Sequence, residues 1–398
     1  QRQMCIRDSL AAYKPERTLA CISVSGQWPY HRDRWLCPDI WGERNINKIP
    51  CLETMGEYES AHTWSNEGLK ERKEHPLLPL SMLACPAEGH FAYTPEKAQY
   101  IALYIKKAMH YGHVDPTKEG WLMERWKKNE KPSSIPAPVN QFKGDLAQAF
   151  WFFDREMIEA TLAYQSRYYD MKPQLVSVSQ NGKTVSQQNT HLQVHPAFIP
   201  QEDGITFQLT PVFLDTVPGE SPRLSNWTDL PVGASIGHAG KTPVLQMITG
   251  PAVLVDSVTF RIQWNRGTLW TDKKSDIVFS ITHPGDEEYK PAVQQAQMII
   301  PVKNTEGQQQ HIKFATLPDI KRGTKYVSLS AVSSCGLPVD FYVESGPAYV
   351  DGNRLILTAI PPKTTYPVKV TVIAWQYGKN SDPKIKTAEP VKQTFYIR

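Results

Sequence analysis

Short apolar runs alternate with helical patterns over the first quarter of the chain. Segments 19–24, 49–55 and 80–84 are apolar on both faces. Continuous apolar strands separated by helices are typical of a parallel sheet that is covered on both sides. A helix is predicted to follow, because Thr94 can cap its start and Gly112 its end. This pattern predicts an α/β unit over residues 10–115.

A polar, proline-rich connection follows the α/β unit. Residues 116–170 are predicted to be this connection, and they carry a helix at about 146–165. The aromatic run Phe150–Phe153 makes the predicted helix apolar all round, which favours a position buried between domains.

After residue 173 the apolar positions recur with a period of two. Segments 174–179 and 277–281 alternate as half-buried antiparallel strands do. A polar stretch near 301–309 then separates two such regions. The sequence therefore predicts a β-sandwich over 171–303 and a second one, immunoglobulin-like in its overall length and turn spacing, over 309–398. The expected fold class is multidomain: a partial α/β sheet followed by two β-sandwiches.

Composition narrows the function classes. The 398 residues carry a formal net charge of +4, and 40% of them are hydrophobic. So small a charge gives no reason to expect a nucleic-acid partner, and no apolar run is long enough for a membrane span. Cys21, Cys51 and Cys85 lie in apolar runs and are predicted to be buried core thiols. No cysteine or histidine spacing suits a metal site, so neither a metal nor a cofactor is expected.

The first nine residues are set apart from this pattern. Residues 4–9 read MCIRDS, which resembles the translation of a sequencing adapter. We therefore expect residues 1–9 to be an artefact and leave them out of the fold prediction. The same interpretation implies that a signal peptide would have been lost with the true N-terminus.

Two strand-end motifs carry the candidate chemistry. Residues 56–59 read GEYE after the second apolar run, and residues 86–90 read PAEGH after the third. In strand order and chain order these segments resemble the second half of an α/β-hydrolase of esterase type, which places its acid and its histidine at such positions. The resemblance implies His90 as the general base and Glu59 as the acid that orients it, with Glu57 as the alternative acid.

The third member of the triad, a nucleophilic serine, should precede the acid in this family, and it is absent from the chain. Residues 233–237 match the GxSxG pattern. They follow the acid and histidine and lie in a β-rich region, so they are not taken as the nucleophile. Ser25, Trp28 and His62 are predicted to line the pocket.

The β half resembles modules of bacterial secreted and cell-surface proteins. Segments 333–339 and 368–376 look like bacterial immunoglobulin-like repeats. Together the resemblances imply a fragment of an exported serine hydrolase, secreted, periplasmic or on the cell surface, that acts on a small-molecule or glycan ester. The fragment itself is expected to be inactive. The alternative is a non-catalytic surface protein, for binding or structure, that carries a relic hydrolase domain.

Overall fold

The computed structural model describes residues 11–30, 46–59, 61–90, 92–186, 193–219 and 227–398. The predicted artefact at residues 1–9 lies outside the described residues. Strands predominate over helices.

A three-stranded parallel sheet begins the fold. Its strands are β1 (Cys21–Val24), β2 (Cys51–Gly56) and β3 (Leu80–Cys85), in the order β1-β2-β3. Every residue of β2 and β3 is buried, as expected for central parallel strands packed on both faces. Cys21, Cys51 and Cys85 are buried free thiols, which confirms their prediction as core residues.

Among the described residues, the longer α-helices of this unit pack with the sheet. They are α1 (Ala61–Glu74), α2 (Pro95–Tyr111) and α3 (Arg155–Gln165). The predicted limits of α2 are confirmed: the Thr94 hydroxyl accepts from the Lys97 amide, and the Gly112 amide donates to the Ala108 carbonyl. Helix α2 contacts α3 through a hydrogen bond of 2.8 Å between the hydroxyls of Tyr100 and Thr161.

The helix predicted at 146–165 is wrong over its first half. Leu146–Gln148 is a 3-10 turn, and the aromatic run then forms β6 (Ala149–Phe152). This strand pairs antiparallel with β4 (Trp121–Glu124), which also pairs with β5 (Ala137–Pro138). A short run that is apolar on all sides fits a buried strand as well as a buried helix. The helix starts only after Asp154, whose side chain accepts from the Met157 amide.

The described part of the middle unit consists mainly of β-strands, which form three small sheets. Their strands pair antiparallel, except that β9 (Gln193–Val194) joins β16 (Ala292–Pro301) in parallel. Its long hairpin, β15 (Lys274–His283) with β16 (Ala292–Pro301), pairs ten residues of each strand. Asn181 and Gly182, both with positive φ, connect β7 to β8, which is typical of an Asn-Gly hairpin turn. The other strands are β7 (Val176–Gln180), β8 (Lys183–Thr184), β9 (Gln193–Val194), β10 (Thr206–Gln208), β11 (Thr210–Phe213), β12 (Val244–Thr249), β13 (Ala252–Leu254) and β14 (Thr259–Ile262).

The last unit is also all β and encloses a core of its own, with Leu355 and Phe395 at its centre. Its sheets have the orders β17-β19, β18-β22-β21 and β20-β23-β24. Separate apolar cores between small sheets are compatible with β-sandwich domains for both all-β units. The strands are β17 (Ile312–Phe314), β18 (Tyr326–Ser328), β19 (Ala331–Ser333), β20 (Asp340–Ser345), β21 (Ala348–Asp351), β22 (Arg354–Leu357), β23 (Val368–Trp375) and β24 (Val391–Ile397).

The units contact one another through aromatic and apolar clusters. Tyr58 and Ala87 of the first unit pack with Trp227 and Val293 of the middle unit. Trp375 of the last unit packs into the middle core, 6.3 Å from the ring of Trp264. Among the described residues, no helix is both long and apolar enough to cross a membrane.

Candidate active site

The ends of the three parallel strands bring the candidate residues to one edge. Gly56, the last residue of β2, pairs with Cys85, the last residue of β3. Because parallel strands place their carboxyl ends at the same edge of a sheet, the loops that follow lie side by side. The acid turn, defined here as residues 56–59, therefore faces the histidine turn, residues 86–90.

The acid turn presents Glu59 to His90. Residues Glu57–Glu59 form a single 3-10 turn, and the ring Nδ1 of His90 donates a hydrogen bond to Glu59 Oε1. The second oxygen of Glu59 accepts from the Gly56 amide at 3.2 Å, which fixes the plane of the carboxylate. The Glu59 side chain is 12% exposed and that of His90 is 45% exposed, so the pair lies near the protein surface rather than in the core.

The electrostatics of this pair favour a protonated imidazole. The hydrogen bond that His90 donates to Glu59 raises the pKa of His90 above its ordinary value of 6.5, while burial and the Lys97 ammonium act in the opposite direction. A carboxylate that orients an imidazole and stabilises its cation is the arrangement used in proton relays.

Glu57 does not contact His90 but has two other partners. Lys290 Nζ donates to Glu57 Oε1 at 2.6 Å, and the Ala87 amide donates to Oε2 at 2.8 Å. The side chains of Glu57 and Lys290 are 6% and 4% exposed. Of the two glutamates left open by the sequence, the structure brings Glu59 to the histidine and assigns Glu57 to an ion pair with the middle unit.

A glycine permits the two turns to meet. A Cβ atom on Gly56 would lie 2.3 Å from the Glu88 carbonyl oxygen, closer than any side chain allows. The Tyr58 amide donates to that same oxygen at 3.0 Å. The backbone of the acid turn is therefore in direct contact with the histidine turn.

Glu88, which the sequence did not identify as a site residue, organises the histidine turn. Its buried carboxylate lies 2.6 Å from Lys97 Nζ and 3.1 Å from Arg167 Nη2. It also accepts a short hydrogen bond from the Tyr164 hydroxyl. Burial, with the nearby Cys85 and Glu88, raises the pKa of Tyr164 far above its ordinary value, so the hydroxyl remains a donor. In the sequence, an acidic residue directly before the Gly-His pair was the available signal for this role.

Ser25 lies at the same edge, directly after β1. It is buried and has a φ of 53°, which is in the left-handed region. Its amide donates to the Thr54 carbonyl at 2.8 Å. A non-glycine residue in this conformation marks local strain, which is often found at functional sites.

The prediction that Trp28 lines the pocket is wrong, because this side chain belongs to the core. It is fully buried, and its ring stacks on Phe150 with centroids 5.7 Å apart. Its indole N–H donates to the Trp64 carbonyl at 2.9 Å. A Cβ on Gly68 of α1 would lie 2.4 Å from this ring, so the helix needs glycine there to admit it. A glycine inside a helical pattern was the available signal.

His62 lies in the first turn of α1, with an exposed side chain. Its carbonyl accepts from the Ser65 hydroxyl at 2.6 Å. Burial and the Arg125 cation lower the pKa of His62. The hydrogen bond described for His62 lies within its own helix, the charges that act on it come from residues 125–130, and no described contact joins it to Glu59.

The structure also gives no sign of a nucleophile turn at the GxSxG segment, residues 233–237. Ser235 forms an isolated bridge with Thr216 in the middle unit, and no helix follows it within the described residues. The elbow that activates a serine requires a helix at that point.

Comparisons with known proteins do not identify a family. No protein-family model matches the chain, and no curated protein matches it. Similar solved structures include human protocadherin-24 EC1-2, 11% identical, covering 42% of this chain and 85% of that chain with a TM-score of 0.19. Drosophila N-cadherin EC1-4 is 7% identical and covers 63% of this chain and 54% of that chain with a TM-score of 0.18. Likenesses of this degree carry no argument about fold or function.

Proposed function

We propose that Glu59 and His90 are the acid and the base of a serine-hydrolase triad that cleaves carboxylic esters. The observation that carries the proposal is the hydrogen bond between them at the carboxyl edge of a parallel sheet, with the acid after one strand and the histidine after the next. The chain order, acid then histidine, is the order of the α/β-hydrolases that the two motifs resemble.

In this proposal each residue has a defined task. His90 accepts the proton of an attacking serine hydroxyl and later returns it to the leaving alcohol. Glu59 holds the imidazole with Nδ1 protonated and stabilises the imidazolium that forms. This contact raises the pKa of His90, and a higher pKa makes the imidazole a stronger base.

The serine itself is assigned to a strand that would pair beside β1. Within the described residues β1 pairs with β2 alone, and Leu19, two residues before β1, and Val24, its last residue, are exposed. An open edge of this kind can accept another parallel strand. The 398-residue chain is therefore proposed to hold two of the three triad members, and Ser25 is proposed to form part of the pocket wall.

The two all-β units are proposed to be modules of the same exported bacterial protein, the last of them immunoglobulin-like. A small-molecule or glycan ester is the proposed substrate class. Only the mostly-β composition of the described chain supports this part.

A fluorophosphonate probe, which labels activated serines, tests the proposal in two steps. The 398-residue chain should remain unlabelled, whereas a longer protein that contains residues 10–398 should be labelled at a serine that precedes this segment. In the longer protein, His90→Ala and Glu59→Gln should lower kcat/KM for an acetate ester by roughly 10²- to 10⁴-fold.

Two results would contradict the proposal. Labelling of the short chain at Ser25 would show that the nucleophile had been misplaced. A longer protein that is not labelled and hydrolyses no ester would favour the non-catalytic surface protein instead.

A further inference from the structure

The middle β unit reaches the acid turn through a buried lysine. Lys290 lies two residues before β16, and its ammonium lies 2.6 Å from Glu57 Oε1. Both side chains are almost completely removed from solvent. A buried ammonium needs a close anionic partner, because desolvation of an unpaired charge is strongly unfavourable.

Neighbours of Lys290 contact both turns of the candidate site. The Tyr58 hydroxyl donates to the Pro291 carbonyl at 2.7 Å. A Cβ atom on Gly89 would lie 3.0 Å from a methyl group of Val293, so the backbone of the histidine turn packs closely on β16. The first residues of β16, with the segment before it, therefore form a support for both turns.

Glu57 transmits this support to the catalytic pair. One carboxylate oxygen takes the Lys290 hydrogen bond, and the other takes the Ala87 amide of the histidine turn. Glu57 also begins the 3-10 turn that ends at Glu59. Ala87 has a φ of 59°, and its hydrogen bond to Glu57 helps hold this strained conformation.

We propose that Lys290 is a positioning residue for the Glu59–His90 pair and acts through Glu57, so that the middle β unit completes the candidate active site. The catalytic meaning of this assignment rests on the proposed function. The geometric claim does not, because the state of the pair can be measured without a substrate.

The direction in which the pKa of His90 shifts tests the proposal, because the charges around the pair predict different shifts for the two cases. Glu57 faces Lys290 and Lys128, and His90 faces Glu59 and Lys97. Removing the Lys290 cation without any movement would leave the pKa of His90 unchanged or raise it, because a positive charge is lost and the Glu57 carboxylate stays in place. If Lys290 instead holds the acid turn in place, its loss weakens the Glu59 hydrogen bond and the pKa of His90 falls.

The experiment is an NMR titration of the 398-residue chain with labelled histidine rings. His90 is assigned among the 11 histidines by the signal missing in His90→Gln. Lys290→Met should shift the His90 titration to lower pH, and Lys290→Arg, which keeps the cation, should restore part of that shift. Arg261→Met is the matched control, because it breaks the 2.5 Å ion pair between Arg261 and Asp340 at the other module boundary. It should leave the His90 titration unchanged.

Tyr58→Phe provides a milder variant in case Lys290→Met does not fold. It removes the hydrogen bond to Pro291 and should shift the His90 titration downward by a smaller amount. If Lys290→Met folds and its His90 titration is unchanged or moves to higher pH, the proposal is overturned. If Lys290→Met does not fold, an unchanged His90 titration in Tyr58→Phe overturns it.

Glu59→Gln separates this inference from the proposed function. If it lowers the pKa of His90 while the Lys290 and Tyr58 variants do not, the pair exists and only the positioning role fails. If Glu59→Gln has no effect, the pair itself is not formed in solution, and the proposed function fails with it.

Discussion

Lys97 Nζ lies 2.6 Å from the Glu88 carboxylate, and both side chains are only 6% exposed. This pair fixes helix α2 to the histidine turn, since Lys97 belongs to the first turn of α2 and Glu88 lies two residues before His90. Arg167 and Tyr164 of the segment around α3 contact the same carboxylate. The position of the histidine turn is thus fixed by two other segments of the chain, helix α2 and the segment around α3.

Breaking this pair should be strongly destabilising. Lys97→Met leaves the buried Glu88 carboxylate without its nearest cation, and the expected loss in the free energy of unfolding is about 3 kcal/mol. Urea unfolding of the variant and the wild type measures it. Arg155→Met, which removes an exposed ion pair with Glu159, is the control and should change stability by less than about 0.5 kcal/mol. Equal effects of the two variants would contradict the structural role of Glu88.

The packing of Trp28 on helix α1 predicts an unusual response to a glycine substitution. Gly→Ala within a helix normally stabilises it by up to about 1 kcal/mol. At Gly68 the added methyl group would meet the Trp28 ring at 2.4 Å, so Gly68→Ala should instead destabilise the protein by about 1–3 kcal/mol. Thermal and urea unfolding report the change. Gly240→Ala, where nothing lies within 4 Å, is the control and should be near neutral; a stabilised Gly68 variant would refute the packing described.

The Glu59–His90 contact predicts a stability effect confined to acidic and neutral pH. The folded-state pKa of His90 is raised, so its contribution is fully present below the unfolded pKa of about 6.5 and is lost as pH rises through the folded value. Glu59→Gln should therefore reduce the free energy of unfolding near pH 6, by less than about 1 kcal/mol because the pair is partly exposed. The difference from wild type should shrink at about pH 9. A difference that grows with rising pH would be inconsistent with this sign.

The left-handed backbone of Ser25 predicts how stability responds to a glycine at this position. Ser25→Gly removes the penalty of a side chain at positive φ and should leave stability unchanged or raise it by up to about 1 kcal/mol. Ser25→Val, with a β-branched side chain, should destabilise. Calorimetric unfolding of both variants measures the difference. A stabilised valine variant would show that Ser25 does not adopt the φ of 53°.

The contrast between Phe150 and Thr94 shows what sequence patterns can predict. The cap at Thr94 was predictable because it depends on a few neighbouring residues, whose backbone donors must be satisfied locally. The aromatic run at Phe150 was predicted as a helix, yet it is a strand that pairs with Trp121–Glu124. The prediction failed because this partner lies more than twenty residues away along the chain. Local periodicity carries no information about such a partner.

For the candidate site, the sequence determined the residue types, their order and their placement after strands, because chain order fixes which residues end each strand. It therefore predicted His90 together with either Glu57 or Glu59. Only the tertiary structure decided between the two glutamates, since their difference lies in what surrounds them: Lys290, more than two hundred residues along the chain, holds Glu57. The tertiary structure also shows that Trp28, predicted to line the pocket, is a core residue. Charge pairing and packing act between residues that are close in space, and a single sequence does not record those distances.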